Sequence, residues 1–220
     1  LVGSEMCIRD SGTIGVKLSG GADTALLLYL LAKEISERNL NFSIVPYTFN
    51  DKPDRFIVAQ NIIHEVAKTF PKVKFEKHQY DEISLPYRKV FDKWALKLTR
   101  QYDIVFFTNG VNLPAPEEAI TINKELAKFV GTREAPRNYD TQDLERIGIQ
   151  DIPEYSPFKD VDKRFTAQLY EDEFLLETLF PLTRSCLGSA EVTDYHEKPC
   201  KICYWCEEKY WAFGQYDAVG

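Results

Sequence analysis

Apolar residues occur along this chain in short blocks whose period changes from one block to the next. Val16-Lys17-Leu18 reads as a short β-branched strand, and Ala25-Leu26-Leu27-Leu28-Tyr29-Leu30-Leu31 follows it after a few small polar residues. The second block is apolar on nearly every helical face, which suits a helix inside a layer rather than on a surface. It runs out near Arg38 and Asn39. Phe42 to Phe49 reads as a second strand, with Pro46 as its weak point because proline donates no ladder bond. Asn50 to Pro53 has turn chemistry. Phe56, Ile57, Ala59, Ile62, Ile63, Val66, Ala67 and Phe70 then recur at helical spacing, and Pro71 stops them. The pattern predicts a third strand over Val73–Tyr80, a helix over about Pro86–Arg100 and a buried strand over Asp103–Thr108.

Strands alternating with helices predict a parallel sheet with right-handed crossovers. Pro116 opens a further predicted helix to about Val130. Gly131 to Tyr155 reads as a long irregular connection of the lid kind, with one short helix near Asp143–Ile147. Lys163 to Thr178 is predicted as one amphipathic helix. There is no internal repeat and no low-complexity tract.

The turn between the first strand and helix carries candidate chemistry. Ser19-Gly20-Gly21-Ala22-Asp23-Thr24 offers adjacent glycines for close backbone approach to an anion. It also offers two hydroxyls, a carboxylate that could hold Mg²⁺, and the positive end of a helix. A strand's carboxyl end is where open α/β sheets bind ligands, so the turn reads as a polyphosphate site. It is not the common P-loop, since no lysine follows the glycines. Read without that context, Ser19 or Asp23 simply caps a core helix.

Four of the five cysteines, Cys186, Cys200, Cys203 and Cys206, cluster near the end of the chain. The C-x₂-C-x₂-C run with a fourth thiol supplies the ligands of a tetrahedral Zn²⁺ site, and four thiolates also suit an iron–sulfur cluster. His196 could replace one of them.

Over 220 residues the formal net charge is −7, from 27 Lys+Arg and 34 Asp+Glu, which argues against a broad nucleic-acid footprint. No apolar run approaches a bilayer span and no signal peptide is apparent, so a cytoplasmic location is the expectation. Leu1 to Ser11 fits nothing downstream and resembles translated adapter read-through, so the natural protein is expected to begin near Gly12. Residues 12–160 are read as the ATP-binding core and 161–220 as a helical, zinc-binding segment packed on it.

The S-G-G-x-D-T string resembles the pyrophosphate-binding loop of the PP-loop (N-type) ATP pyrophosphatases. Together with Ser156-Pro157-Phe158, Lys163, Thr183-Arg184-Ser185-Cys186 and Pro199-Cys200-Lys201-Ile202-Cys203-Tyr204-Trp205-Cys206, the layout is similar to the 7-cyano-7-deazaguanine synthase (QueC) family. The resemblance implies a Rossmann-like α/β fold of the adenine nucleotide alpha hydrolase type, with helices on both faces of the sheet and a small zinc-binding helical appendage. It implies ATP, Mg²⁺ and Zn²⁺ as cofactors. Ser19, Gly20, Gly21, Asp23 and Thr24 would hold the phosphates and Mg²⁺, and the four cysteines would hold zinc. Lys163 would contact a phosphate or the adenylate, and Asn109, Gly110 and Asn112 would border the substrate.

The implied reaction adenylates 7-carboxy-7-deazaguanine and introduces ammonia nitrogen twice, giving the nitrile of queuosine and deazapurine biosynthesis. The implied partners are a small deazapurine and ammonia, with no stable nucleic acid, no membrane and a homodimer as one admissible assembly. The chain departs from the family at Asn50-Asp51-Lys52-Pro53, where a Tyr-Gly-Gln-like string is usual. It departs again at Leu113-Pro114-Ala115-Pro116, where the family carries Asp and Tyr-Pro-Asp-Cys. Competing readings are a PP-loop tRNA thiolation enzyme, an amide-forming ligase like the synthetase half of asparagine synthetase, and a zinc-stabilised nucleotide-binding module without turnover.

Overall fold

The computed structural model describes residues 11–50, 54–82, 87–116, 119–120, 152–195 and 197–218. The expectations for residues 1–10, for the helix after Pro116, for most of 131–155 and for His196 lie outside that set, whereas Ser11, expected to fit nothing downstream, opens the first strand in register with Asn41.

Among the described residues six strands form one parallel sheet: β1 (Ser11–Lys17), β2 (Asn41–Asn50), β3 (Lys74–Phe75), β4 (Gln79–Glu82), β5 (Ile104–Thr108) and β6 (Glu154–Tyr155). The order is β3-β2-β1-β5-β6, with β4 also pairing β2. β1 therefore lies between β2, which follows it directly, and β5, which arrives much later. The direction of winding reverses between β1 and β5, and the crevice at such a reversal is where doubly wound sheets bind ligands.

Helices cover both faces. α1 (Ala22–Glu37) and α2 (Arg55–Thr69) lie on one face, where Leu26, Leu28 and Ile62 pack with Val16, Leu18 and Ile44. α3 (Tyr87–Gln101) lies on the other face, where Trp94 and Leu98 pack with Val45, Tyr47 and Phe107. α4 (Lys163–Asp172) packs on α1, and α6 (Tyr204–Phe213) packs on α4. A four-residue helix, α5 (Ala190–Thr193), stands between them in sequence. Leu26 and Leu28 are fully buried, as the all-round apolar pattern of α1 requires. Burying a side chain of that size contributes about 1.5–3 kcal/mol. No helix among the described residues is long and apolar enough to cross a membrane.

Pro46 sits in an interior strand at no cost to the ladder, for a reason the register supplies. Leu18 N–H donates to Tyr47 O, and Glu76 N–H donates to Ile44 O. The backbone groups of even-numbered residues here therefore face the β3 and β4 side, since they alternate along a strand. Position 46 falls between the residues paired with β3, Ser43 and Ile44, and those paired with β4, which begin at Tyr47. The missing donor points into that gap. The same gap corrects the single third strand expected over Val73–Tyr80, which is two short strands instead.

The helix expected over 163–178 also ends early, at Asp172. Phe174 adopts a left-handed conformation (φ 57°), and Leu175 N–H donates to Tyr170 O at 2.8 Å. This is a Schellman stop, sealed by contact between buried Leu175 and Tyr170. Neither glycine nor asparagine marks it, so periodicity alone runs past it. α1 ends in the same geometry with Asn39 in the left-handed position, as its sequence suggests.

Candidate functional site

β1 delivers Leu18 into the turn, and Gly20 reverses the chain with φ +81°. A Cβ there would lie 2.9 Å from Val58 Cγ1 of α2, so both conformation and space select glycine. Ser19 Oγ and Thr24 Oγ1 lie 3.1 Å apart, and Thr24 Oγ1 donates to Gly21 O at 3.1 Å. The two hydroxyls close the turn on itself. Gly21 is the N-cap of α1 and brings no side-chain acceptor, while Ala25 N–H makes the bond back to Gly21 O. The first turn of α1 thus presents its amides and its positive dipole end without a capping side chain.

Asp23 and Lys163 are in direct contact. Lys163 Nζ lies 2.5 Å from Asp23 Oδ2 and 3.2 Å from Glu208 Oε2. Asp23 Oδ1 also accepts from Asn112 Nδ2 and Thr166 Oγ1, each at 3.1 Å. Lys163 is only 4% exposed. Burial opposes its charge, but the Asp23 and Glu208 carboxylates outweigh that and hold its pKa above the ordinary lysine value. Glu208 is tied in turn to Tyr204, whose hydroxyl donates to Glu208 Oε1 at 3.0 Å. One buried ionic chain therefore joins α1, α4 and α6. Tyr170 of α4 reinforces it, donating to Ala22 O at 2.9 Å.

The loop after β5 lies across the crevice from this turn. Asn109 Oδ1 accepts from Val111 N–H and Ser156 Oγ, and its Nδ2 donates to Glu154 Oε1 at 2.8 Å. Asn109 thereby locks the ends of β5 and β6 together. Gly110 lies directly against α1: a Cβ there would come within 2.8 Å of Thr24 N and 2.9 Å of the Asp23 carbonyl carbon. Asn112 completes the contact through Asp23.

Cys186, Cys200, Cys203 and Cys206 converge, with all four Sγ atoms within 4.8 Å of one another. Cys200 and Cys206 are 3.9 Å apart. Backbone N–H groups point at the sulfurs: Gly188 and Cys200 donate to Cys186, Cys203 donates to Cys200, and Cys206 donates to Cys203. Bonds from the Cys186, Cys203 and Cys206 thiols draw Cys200 well below the usual thiol range. This donor set could hold a metal ion. A tetrahedral ion with metal–sulfur bonds of about 2.3 Å separates its sulfurs by about 3.8 Å. A cubane with one thiolate on each of four irons needs a wider set, so the spacing fits a single ion.

Sequence reasoning singled out Thr183–Cys186 as a motif but missed the contacts by which it joins the two centres. Arg184 N–H donates to Gly20 O at 2.8 Å, which lays the extended Thr183–Cys186 segment along the turn. Asp217 Oδ2 accepts from Ser185 N and Cys186 N at 2.8 and 2.9 Å. Lys209 Nζ donates to Asp217 Oδ1 at 2.5 Å and to Thr183 Oγ1 at 2.8 Å. Burial pushes the Lys209 pKa down against the pull of Asp217. No periodic signal marks Lys209, Glu208 or Asp217 as interior, because each is buried only by its partner.

No protein-family model matches the chain, and no curated protein matches it in sequence. Among solved structures, it is similar to the U34-tRNA thiolase NcsA from Methanococcus maripaludis with its 4Fe–4S cluster. That match has 12% identity and a TM-score of 0.49, and covers 93% of this chain and 65% of that one. The chain is also similar to PH1313 from Pyrococcus horikoshii Ot3, with 14% identity and a TM-score of 0.42, covering 74% of this chain and 41% of that one. It spans less than two thirds of the length of either protein.

Proposed function

We propose that this chain is an ATP-utilising enzyme of the PP-loop type that adenylates a substrate carboxylate or amide and releases pyrophosphate. The observation that carries the reading is the Ser19–Thr24 turn. It couples a left-handed glycine, a hydroxyl pair and an uncapped helix start at the reversal point of a parallel sheet. That combination suits a polyphosphate, whose charge is met by backbone amides and a helix dipole.

In this reading a substrate oxygen attacks the α-phosphorus of ATP, and the bond to the β-phosphate oxygen breaks. The turn amides and the start of α1 stabilise the negative charge that builds on the departing pyrophosphate, which is electrostatic catalysis without a protein nucleophile. Ammonia then displaces AMP from the acyl adenylate and leaves an amide. A second adenylation, on the amide oxygen, followed by loss of AMP and a proton, gives a nitrile. The resemblance of the chain's motifs to 7-cyano-7-deazaguanine synthases supports 7-carboxy-7-deazaguanine as the substrate.

Mg²⁺, entering with the nucleotide, supplies charge neutralisation at the phosphates. Asp23 already bonds Lys163, Asn112 and Thr166, so its contacts favour fixing the start of α1 over holding the ion. The four cysteines would hold one Zn²⁺ in a closed, structural site.

The test is pyrophosphate release from Mg-ATP with ammonia and 7-carboxy-7-deazaguanine, with the product read by mass spectrometry. Nitrile formation at two ATP consumed per product is the expected result. Nucleotide binding with no pyrophosphate release from any carboxylate would reduce the chain to a nucleotide-binding module.

A further inference from the structure

Of the four side chains in the Thr183–Cys186 segment, three already have work to do. Thr183 Oγ1 donates to Phe180 O at 2.7 Å and accepts from Lys209. The Arg184 guanidinium donates to Ala218 O, and Cys186 belongs to the thiol set. The Ser185 hydroxyl makes no hydrogen bond among the described residues, although its backbone N–H is bonded to Asp217. Ser185 is half-buried, and a hydroxyl in contact with water needs no protein partner. Its solitude alone assigns nothing; its position does.

A Cβ built on Gly21 would lie 3.5 Å from Ser19 Oγ and 3.7 Å from Ser185 Oγ. The two hydroxyls therefore flank the space beside the Gly21 α-carbon, at the N-cap of α1. The backbone does not need glycine there, since φ is −80° and ψ 163°. Sterics do not need it either, because 3.5 and 3.7 Å are ordinary contact distances for a methyl group. Gly20 differs on both counts. What glycine supplies at position 21 is open space between two hydroxyls, at the positive end of a helix.

Ser185 is held at that space by its backbone. Arg184 N–H is bonded to Gly20 O on one side, and Asp217 Oδ2 accepts from the N–H groups of Ser185 and Cys186 on the other. Of the hydroxyls already in the turn, Thr24 donates to Gly21 O, and Ser19 Oγ accepts from Gly21 N–H and lies 3.1 Å from Thr24 Oγ1. The Ser185 proton has no such commitment.

We propose that Ser185 is a third hydroxyl of the phosphate site, donating to an oxygen of the pyrophosphate group seated over the start of α1. This rests on the reading of the Ser19–Thr24 turn as a phosphate cradle and adds a donor to it from the far end of the chain. A hydroxyl donating to an anionic phosphate oxygen forms a charge-assisted bond, stronger than one between neutral groups. The turn amides and the helix dipole meet the same charge from the α1 side. Cys186 is the next residue, so an ion held by the four thiols would restrain a phosphate donor as well as the fold.

The experiment is equilibrium binding of inorganic pyrophosphate and Mg-ATP to the full metal-loaded chain. It compares the parent protein with Ser185→Ala, Ser185→Thr and Gly21→Ala, with urea midpoint and metal content measured on each. Ser185→Ala removes only the hydroxyl and leaves the bonds to Asp217 in place. It should keep the parental midpoint and metal content while binding both ligands roughly tenfold more weakly. Ser185→Thr, which keeps the hydroxyl, should bind as the parent does. Gly21→Ala should fold and lose binding, because its methyl enters the phosphate space. Unchanged binding in Ser185→Ala, or equal weakening in Ser185→Ala and Ser185→Thr, would overturn this inference and leave the cradle standing. Unchanged binding in Gly21→Ala, or failure of the parent protein to bind pyrophosphate at all, would overturn both.

Discussion

Lys163 Nζ lies 2.5 Å from Asp23 Oδ2, joining the first turn of α1 to the first residue of α4 across 140 positions of sequence. Lys163 is buried, Asp23 is half-buried, and Glu208 shares the ammonium. Replacing Lys163 with Met leaves a buried and a half-buried carboxylate without their cation. The expected loss is about 3–5 kcal/mol, seen as a lower midpoint in urea denaturation. Asp23→Ala should lose a comparable amount, because it strips Lys163 of its shorter partner. A variant of either kind with parental stability would show that the pair contributes nothing to the fold.

The same pair sets an alkaline limit. The Lys163 pKa is raised relative to the ordinary value of 10.5. Its contribution is therefore complete below that value and is lost as pH rises through the higher folded-state value. Stability attributable to the pair should be flat to about pH 10 and decline beyond. Lys163→Met should flatten that decline when unfolding is measured from pH 8 to 12.

His78 sets a limit on the acid side. Burial pushes its pKa down to about 4. Thr48 Oγ1 donates to Leu18 O, so the 2.8 Å contact with His78 Nε2 makes the ring the donor there. His78 Nδ1 is buried without a hydrogen-bond partner among the described residues, and protonating it adds a donor with nothing to accept it. A depressed folded-state pKa means stability is complete above the unfolded value of 6.5 and falls as pH drops toward 4. The loss should be on the order of 2 kcal/mol, and His78→Phe should remove most of it in a comparison of the two proteins from pH 7 to 4.

Cys203→Ser should release the metal and lower the melting temperature together. Structural ions contribute several kcal/mol, so a fall of roughly 10 °C is expected at this chain length. Metal analysis of the parent should return one ion per chain. A Co²⁺-loaded sample should show the absorption of a tetrahedral tetrathiolate, whereas four irons and labile sulfide per chain would contradict the single-ion geometry.

Gly110→Ala tests how closely the two loops meet. The added methyl faces backbone atoms at 2.8 and 2.9 Å, which cannot rotate away. A cost of about 1–3 kcal/mol is expected, together with weaker ATP binding as the loop is displaced from α1. Unchanged binding with reduced stability would confine Gly110 to packing.

Much of this architecture is legible in residue types. The unbroken apolar face of α1 announced a buried helix, and the glycines and hydroxyls before it announced the turn. The cysteine spacing announced a convergent set, and the four sulfurs do converge. What was not legible depends on partners distant in sequence. The resemblance sends Lys163 to a phosphate or the adenylate, and nothing in the sequence shows that Asp23 and Glu208 hold it inside the protein. Asp217 and Lys209 carry no pattern at all, yet they fix the Thr183–Cys186 segment beside the turn. The early end of α4 escaped because Phe174 takes a left-handed conformation that periodicity does not encode. Pro46 looked like a break in β2, and only the gap between β3 and β4 shows why it is tolerated.

The long reach of the Asp23–Lys163 pair bears on how the protein comes into being. At translation rates of about 5–20 residues per second, α4 emerges roughly 7–30 s after Asp23 has been made. During that interval β2, β5 and β6 are all made, while the Asp23 carboxylate still has no lysine to enter the interior with. The Asp23 end of α1 therefore completes its contacts only when α4 and α6 arrive. An engineered circular permutant that brings α4 ahead of β1 would reverse that order, and refolding rates of the two topologies would report how much the delay guides assembly.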